Sequence, residues 1–417
     1  MENIENQHQI INPQNSSNNS TTNYKSLLTK KTLLEIDGSI LEGGGQIIRI
    51  SVSLSFLLNI PIKITNIRAK RDNPGLQRQH LTCTEFIIKT FKATEYRGLA
   101  VNSKELSLKP TKLYIECPKK IECTLASAGS IGLMIQEILP CLLFTSISEK
   151  YKGSDFDVYF TGGTLCKFCP TIYYLNDVLF PILNQHMGVN AKCNLKTNGL
   201  YPKGGGQVYL RLAQVNTYIK SINVEEKGKL KNAIVRFCNT QNFRFKIDKV
   251  KDEVFKKAKK IIRNEYLDSG NTDDFDNEII KIENVDLGNN SFTFLFQCIY
   301  VYENTSIKAE YLYSEKKWVD ITMDDMAENC ENAMLKAIEN NLICFDEHTV
   351  DHLIIFMALA QGKSRISVGE LSMHTKTAIE IIKQFIPGLT INIIPSDDKK
   401  HISNIIEMEG IGYSLIE

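Results

Sequence analysis

The sequence predicts a mixed α/β fold of the α+β kind: a large domain of alternating strands and helices, interrupted by a smaller inserted α/β domain. Three observations predict it. Strand-like and helix-like segments follow one another in a loose threefold succession. A glycine triplet followed by glutamine occurs twice, in "LEGGGQII" and "YPKGGGQV". Between about residues 221 and 311 the texture changes and highly charged stretches appear. A chain of 417 residues has room for this arrangement.

Taken in order, residues 1–32 are rich in Asn, Gln, Ser and Thr and should be a disordered tail. "TLLEIDGS" reads as a strand. After the first glycine triplet, Ile47, Ile50, Leu54, Leu57 and Leu58 recur three or four apart, the stripe of a helix. "PIKITNIRA" alternates like a strand, and "HLTCTEFIIKTFKATEY" reads as an amphipathic helix. The succession repeats with strand "TKLYIEC", helix "SAGSIGLMIQEILPCLLF", strand "DFDVYF" and helix "PTIYYLNDVLFPILNQHM", with Pro170 near its start, where proline is tolerated. The second glycine triplet opens a strand. Downstream come helices "AENCENAMLKAIENN" and "HTVDHLIIFMALAQG", strand "RISV", a helix from about Thr375 to Ile386, and strands "LTINII" and "ISNIIEME". The expected organisation is a first part of the large domain at 33–220, an insertion at 221–311 and a second part at 312–417.

Composition narrows the function classes. A formal net charge of +1 argues against a protein that coats nucleic acid, while leaving room for a small basic pocket. No apolar run reaches membrane-spanning length without a charge or turn residue, and the N-terminal stretch lacks the apolar core of a signal peptide. Eleven cysteines at irregular spacing read as reduced intracellular thiols. Cys166 and Cys169 form a lone CxxC with no second pair to complete a zinc site, so a structural role outweighs a metal or redox one.

Four stretches carry candidate chemistry. In "DGSILEGGGQIIR", the glycines let backbone approach a ligand and turn amides toward an anion at a helix start, with Glu42 and Arg49 beside them. The stretch is neither a P-loop nor a GxGxxG turn. Taken alone, it suits a tight strand-to-helix turn with a solvated acid. "RAKRDNPGLQRQH" crowds Arg68, Lys70, Arg71, Arg78 and His80 into one loop, which fits a phosphate or a solvated basic loop equally well. In "LSMHTKTAIEII", His374 precedes an apolar helical stripe; a neutral imidazole is a competent nucleophile toward phosphorus, and a helix start favours an approaching phosphate. A lone histidine is more often structural, and nothing local overturns that. In "HTVDH", His348 and His352, four apart with Asp351 between them, have a metal-like spacing, but a third ligand is not evident, so a polar helix start is the simpler reading.

Together, these segments resemble the RNA 3′-terminal phosphate cyclase family. "DGSILEGGGQIIR", "IRAKRDNPGLQRQHL", "SAGS…Q…LP", "GGT", "YPKGGGQV", "DHLIIFMALA" and "HTKTAIE" run in order over nearly the whole chain after residue 32. The resemblance implies three repeated two-helix, four-stranded units with an inserted α/β domain. It implies an enzyme that uses ATP with Mg²⁺ (or Mn²⁺) to turn an RNA 3′-phosphate into a 2′,3′-cyclic phosphodiester, through a histidine-linked AMP and an adenylylated RNA end. The family's nucleophile matches His374. Its nucleotide contacts match Gln136, Pro170, His348, Asp351 and His352, with Pro170 and Tyr174 packing on adenine, and its phosphate and metal pocket matches Glu42, Arg49, Arg68, Arg71 and Gln79. No structural metal is implied.

The chain departs from the family pattern at His348 and His352, where Tyr and Gln are usual, at Leu165, which follows "GGT", and at Tyr173, where an Asp is usual. A catalytically silent sister branch acts in ribosome assembly and lacks the histidine and most of the acid-glycine motif; this chain keeps both. Nuclear placement is the expectation from the family, with the cytoplasm as the alternative. Nothing in the sequence specifies an oligomeric state.

Overall fold

The computed structural model describes residues 33–118, 121–125, 128–243, 245–272, 275–288, 291–317, 319–396 and 403–414. The tail expected at residues 1–32 lies outside the described residues. The fold is mixed α/β, with eight helices and four four-stranded sheets among the described residues.

The first sheet holds β1 (Leu34–Asp37), β2 (Ile62–Thr65), β3 (Glu95–Arg97) and β4 (Leu106–Lys109) in the order β1-β2-β4-β3. Helix α1 (Gly45–Leu58) lies between β1 and β2 in the chain, and α2 (Arg78–Phe91) between β2 and β3. The second sheet holds β5 (Ile121–Thr124), β6 (Phe156–Gly162), β7 (Ala191–Thr197) and β8 (Gly206–Leu212) in the order β5-β6-β8-β7. Its helices are α3 (Ile131–Leu143) and α4, which runs through Ile172–Tyr174, a π-helical stretch Leu175–Leu179 and Phe180–Met187.

A short strand β9 (Asn223–Val224) then leads into a different sheet: β10 (Leu230–Asn239), α5 (Ile247–Asp268), β11 (Ile280–Asp286), β12 (Phe292–Tyr302), β13 (Ser306–Glu315) and α6 (Met323–Ile338), with strand order β11-β10-β12-β13. The chain returns as α7 (Glu347–Leu359), β14 (Gln361–Val368), α8 (Met373–Phe385), β15 (Ile391–Pro395) and β16 (Asn404–Ile411). These strands pair with β9 in the order β9-β14-β16-β15. In each of the three sheets that exclude the β10–β13 segment, the first two strands are parallel and the other pairings antiparallel.

Two separate cores explain this layout. One joins the three sheets to α1–α4, α7 and α8. In α1 every residue from Gln46 to Leu58 is buried, and α1 packs against α3 and α8. The helices therefore sit inside and the sheets outside, and strand residues alternate between core and solvent. The second core joins the β10–β13 sheet to α5 and α6 through Val254, Ile262, Phe296, Met326 and Met334. This packing reaches Ile338, beyond the boundary at 311 expected from the sequence, and Asn223–Val224 pairs with β14 rather than with that sheet. Leu165, Leu200, Cys238 and Leu295 form a small cluster where the two bodies meet. Arg236 crosses beside it, buried and bonded to Asp177 at 2.7 Å and Glu283 at 2.5 Å.

Some expected elements end differently. The helix predicted through "KATEY" stops at Phe91: Lys92 takes a left-handed conformation, and Glu95–Arg97 pairs as β3. Of "TKLYIEC", only Tyr114–Ile115 pairs, with Ser146–Ile147.

Candidate active site

Five helix starts line one cavity, that of α2 braces two of them, and six contacts close the ring. His374 of α8 pairs with Glu42, just before α1. At Gly45, the first residue of α1, a side chain would strike His80 of α2. Gln79 of α2 accepts from the amide of Ser130, the N-cap of α3, at 3.2 Å. Gly132 of α3 packs under Pro170, ahead of α4. Tyr174 of α4 bonds Thr349 of α7 at 2.9 Å through their hydroxyls, and Asp351 of α7 holds Ser372, the N-cap of α8, at 2.8 Å. Helix starts carry free amides and positive dipole ends, so this convergence suits a polyanion.

The first glycine triplet is there because its neighbours fill the space. Gly43 adopts φ +60°, the left-handed region that glycine occupies without strain. A Cβ at Gly44 would lie 2.8 Å from Glu42 Oε1; one at Gly45 would lie 2.2 Å from His80 Nε2 and 3.1 Å from Arg49 Nη1. The turn is tight because polar side chains crowd onto it.

His374 sits in the first turn of α8. Its Nδ1 lies 2.5 Å from Glu42 Oε2, while the other Glu42 oxygen pairs with Arg71. The bond to Glu42 raises the His374 pKa above its ordinary value despite partial burial. Burial alone would raise the Glu42 carboxyl, but His374 and Arg71 outweigh it and hold it below the usual range. A carboxylate at Nδ1 fixes the tautomer, so the His374 Nε2 lone pair is left for the cavity.

Asp351 places that histidine. Its Oδ1 accepts from Ser372 Oγ and, at 2.6 Å, from Thr375 Oγ1, while Ser372 Oγ accepts from the Thr375 amide at 2.9 Å. Burial raises the Asp351 carboxyl, and the two hydroxyls partly offset it.

The cavity measures about 590 Å³, and His374, Gln46, Arg49, Gln136, Tyr174 and His352 are among its lining residues. Several buried polar atoms there have no protein partner: both side-chain ends of Gln46, Arg49 Nε, Gln136 Oε1 and His352 Nε2. Unpaired buried polar groups are costly, so a cavity lined with them is built for a polar occupant. Burial lowers the Arg49 pKa, with Glu137 the main opposing charge. Burial pushes His352 down to about 4; its Nδ1 donates to the His348 carbonyl at 2.6 Å, so Nε2 is an acceptor.

Of the residues predicted from the sequence, His374, Arg49, Gln136, Pro170, Tyr174, His348, Asp351 and His352 line the cavity. Glu42 and Arg71 stand behind His374. Arg68 and Gln79 are not among the lining residues: Arg68 donates to Asn73 O in its own loop at 2.7 Å, and Gln79 braces α3. Sequence reasoning missed Gln46 and the wall formed by Lys308, Glu310 and Leu312. These three alternate along β13, so one strand face meets the cavity; a distant strand gives no local signal of that. Cys166 and Cys169, expected to be structural thiols, line the cavity beside Phe168, which is fully exposed at φ +59°, and Cys166 Sγ donates to Ala128 O at 3.2 Å. Among the described residues, no group of three or more His, Cys, Asp or Glu side chains could hold a metal ion.

The family model described as RNA 3′-terminal phosphate cyclase matches residues 40–393. A probable RNA 3′-terminal phosphate cyclase of Dictyostelium discoideum is 34% identical over 95% of this chain and 87% of its own. The RNA 3′-terminal phosphate cyclases of Desulfurococcus amylolyticus and Staphylothermus marinus are 32% and 33% identical, each over 92% of this chain and 99% of theirs. The chain belongs to the RNA 3′-terminal phosphate cyclase family.

Leu165 and Tyr173, expected from the sequence to depart from the family pattern, fall outside the cavity lining. Leu165 is buried where the two bodies meet, and the Tyr173 ring stacks on the Arg236 guanidinium at 4.5 Å. His348 and His352, the other two positions expected to depart, do line the cavity.

Proposed function

We propose that this member of the cyclase family is an active enzyme that converts an RNA 3′-phosphate into a 2′,3′-cyclic phosphodiester at the expense of ATP. The observation that carries the reading is His374: a helix-start imidazole, hydrogen-bonded through Nδ1 to Glu42, at the edge of a polar-lined cavity. Nε2 attacks the α-phosphorus of ATP, the bond to diphosphate breaks, and AMP is left on the histidine. An oxygen of the RNA 3′-phosphate then takes AMP from Nε2, giving a mixed anhydride. The adjacent 2′-hydroxyl attacks the terminal phosphorus, losing its proton and expelling AMP. The anhydride supplies the leaving group that closing a strained ring requires.

The chain's own groups divide this work. The helix starts and Arg49 face the triphosphate, whose charge they offset. Gln46, Gln136 and His352 offer the unpaired polar atoms that a nucleotide would satisfy. Pro170 and Tyr174 give the base a wall, although Tyr174 is wholly buried and turned mainly toward Thr349 and Lys308. Arg68 and Arg71, both outside the cavity lining, would have to swing from Asn73 and Glu42 to hold the RNA end. Magnesium (or manganese) would supply charge neutralisation, held chiefly by the substrate phosphates, since both oxygens of Glu42, the acid beside His374, are engaged by His374 and Arg71.

The three similar sheets are consistent with three copies of one two-helix, four-stranded unit, the third split after its first strand by the β10–β13 insertion. A nuclear location is part of the proposal. The second reading, a silent ribosome-assembly relative, is disfavoured by the retained His374–Glu42 pair. The test is conversion of a 3′-phosphorylated RNA oligonucleotide to a phosphatase-resistant end with ATP and Mg²⁺. An end that stays phosphatase-sensitive would refute the reading.

A further inference from the structure

The outward face of the second sheet differs from the other two. Along β6 and β8, Asp157, Tyr159 and Thr161 stand opposite Arg211, Tyr209 and Gln207, while the alternate residues Phe156, Val158, Phe160, Val208, Leu210 and Leu212 are buried. The two tyrosine rings meet edge-on with centroids 4.8 Å apart, and Tyr159 is 36% exposed. Lys196 of β7 holds its ammonium 5.3 Å from the centre of the Tyr209 ring, and Lys192 stands exposed opposite Arg211. Asp157 is already neutralised by Arg211, at 2.8 and 2.9 Å; Glu122 of the adjoining edge strand β5 stands beside Tyr159, at the opposite edge of the sheet from Lys192 and Lys196 on β7. Lys192, Lys196 and Lys203 have no carboxylate within ion-pairing distance among the described residues. By contrast, the first sheet carries Glu35 and Asp37 beside Lys63 and Lys109, which pair with Glu105 and Glu95, and exposed Arg97; the cations of the third, Lys363 and Arg365, pair with Glu407 and Glu225.

The end of this sheet leads to the cavity. β6 leads through Gly162, Gly163 and Thr164 into Leu165, and the next residues, Cys166–Pro170, line the cavity wall. Leu200 bridges Leu165, which brings the turn bearing exposed Tyr201 and Lys203 alongside. Exposed aromatics on an open sheet beside unpaired cations match the needs of a single strand: stacking for bases and charge for phosphates.

We propose that the open face of the second sheet, centred on Tyr159 and Tyr209, binds the single-stranded RNA upstream of the 3′-phosphate. The tyrosines stack on its bases; Lys192, Lys196 and Lys203 contact its phosphates. The proposal rests on the cyclase reading for the identity of the strand and adds where that strand runs.

The test is fluorescence-anisotropy titration of labelled 3′-phosphorylated RNA, a dinucleotide against an oligonucleotide of about fifteen residues. The proteins are wild type, the Tyr159→Ala/Tyr209→Ala double variant and the corresponding Phe/Phe variant, each checked by thermal melting. The longer RNA binds wild type about tenfold tighter than the dinucleotide or better, the Ala variant loses that advantage, and the Phe variant keeps it. Dinucleotide affinity and ATP-dependent self-labelling stay at wild-type levels in both variants. Equal affinity of wild type for the two RNAs, or a folded Ala variant that still prefers the longer one, would overturn the proposal. Length-dependent binding without cyclisation of either RNA would sink the activity reading alone and leave the RNA track standing.

Discussion

His374 Nδ1 and Glu42 Oε2 lie 2.5 Å apart, joining the start of α8 to the turn that precedes α1. This contact ties the two ends of the large core together and decides which imidazole nitrogen is free. It raises the His374 pKa, and burial works against it. Attack on phosphorus needs the neutral imidazole, so self-adenylylation falls as pH drops through that raised pKa. In Glu42→Gln the raising influence goes and burial remains, so the acid limb moves to lower pH. The rate at the plateau falls on the order of a hundredfold because the ring is no longer oriented. A pH–rate profile of histidine labelling checks both effects; an unmoved limb would show that Glu42 does not set the protonation of His374.

Asp351 acts on His374 through the helix cap. Asp351→Ala leaves Ser372 and Thr375 without their shared acceptor, at a cost of roughly 1–3 kcal/mol of stability. Self-adenylylation slows more than ATP affinity weakens, because α8 is misplaced. Asp351→Asn retains an oxygen acceptor and recovers part of the rate. Thermal melts read beside the labelling rate and ATP titrations separate the two effects.

His352 should discriminate among nucleotides. With Nδ1 committed to the His348 carbonyl and the pKa near 4, Nε2 is an acceptor throughout the neutral range. A base that places an amino group there is preferred over one that places a carbonyl. ATP should therefore label His374 about tenfold better than ITP, roughly the worth of one hydrogen bond. In His352→Gln, whose amide can either donate or accept, the ratio shrinks. Parallel labelling with the two nucleotides measures it, and an unchanged ratio would remove His352 from base recognition.

Gly45 leaves no space for a methyl group. Gly45→Ala forces Cβ onto His80 and Arg49, and overpacking of this kind costs about 1–3 kcal/mol. Displacement of Arg49 also weakens ATP binding. Gly205→Ala is the control: a Cβ there meets nothing within 4 Å, and its only penalty is the strain of φ +75°. Denaturant melts and ATP titrations on the two variants distinguish crowding from strain.

The sequence made much of this legible, for physical reasons. Apolar periodicity located α1, α3, α7 and α8 because these helices are buried along nearly their whole length or on a broad face. Ordered motifs singled out His374, Glu42, Arg49 and Asp351. What stayed hidden depends on long-range packing. The extent of the second core escaped notice because α6 has an amphipathic pattern that fits either body, and only Met326 and Met334 meeting that sheet's core decides. Lys308 and Glu310 reach the cavity from a strand far from the catalytic motifs. Gln79 and Arg68 share a motif with Arg71, yet Gln79 stands in the first turn of α2 and accepts from Ser130, and Arg68 folds back on its own loop.

The central claim is that His374 carries AMP during the reaction. The direct measurement is incubation of wild type and His374→Ala with ATP labelled at the α-phosphorus and Mg²⁺, followed by denaturing electrophoresis. The expected result is an acid-labile label on the wild type and none on the variant. An unlabelled, properly folded wild type, or a label that persists without His374, would contradict it.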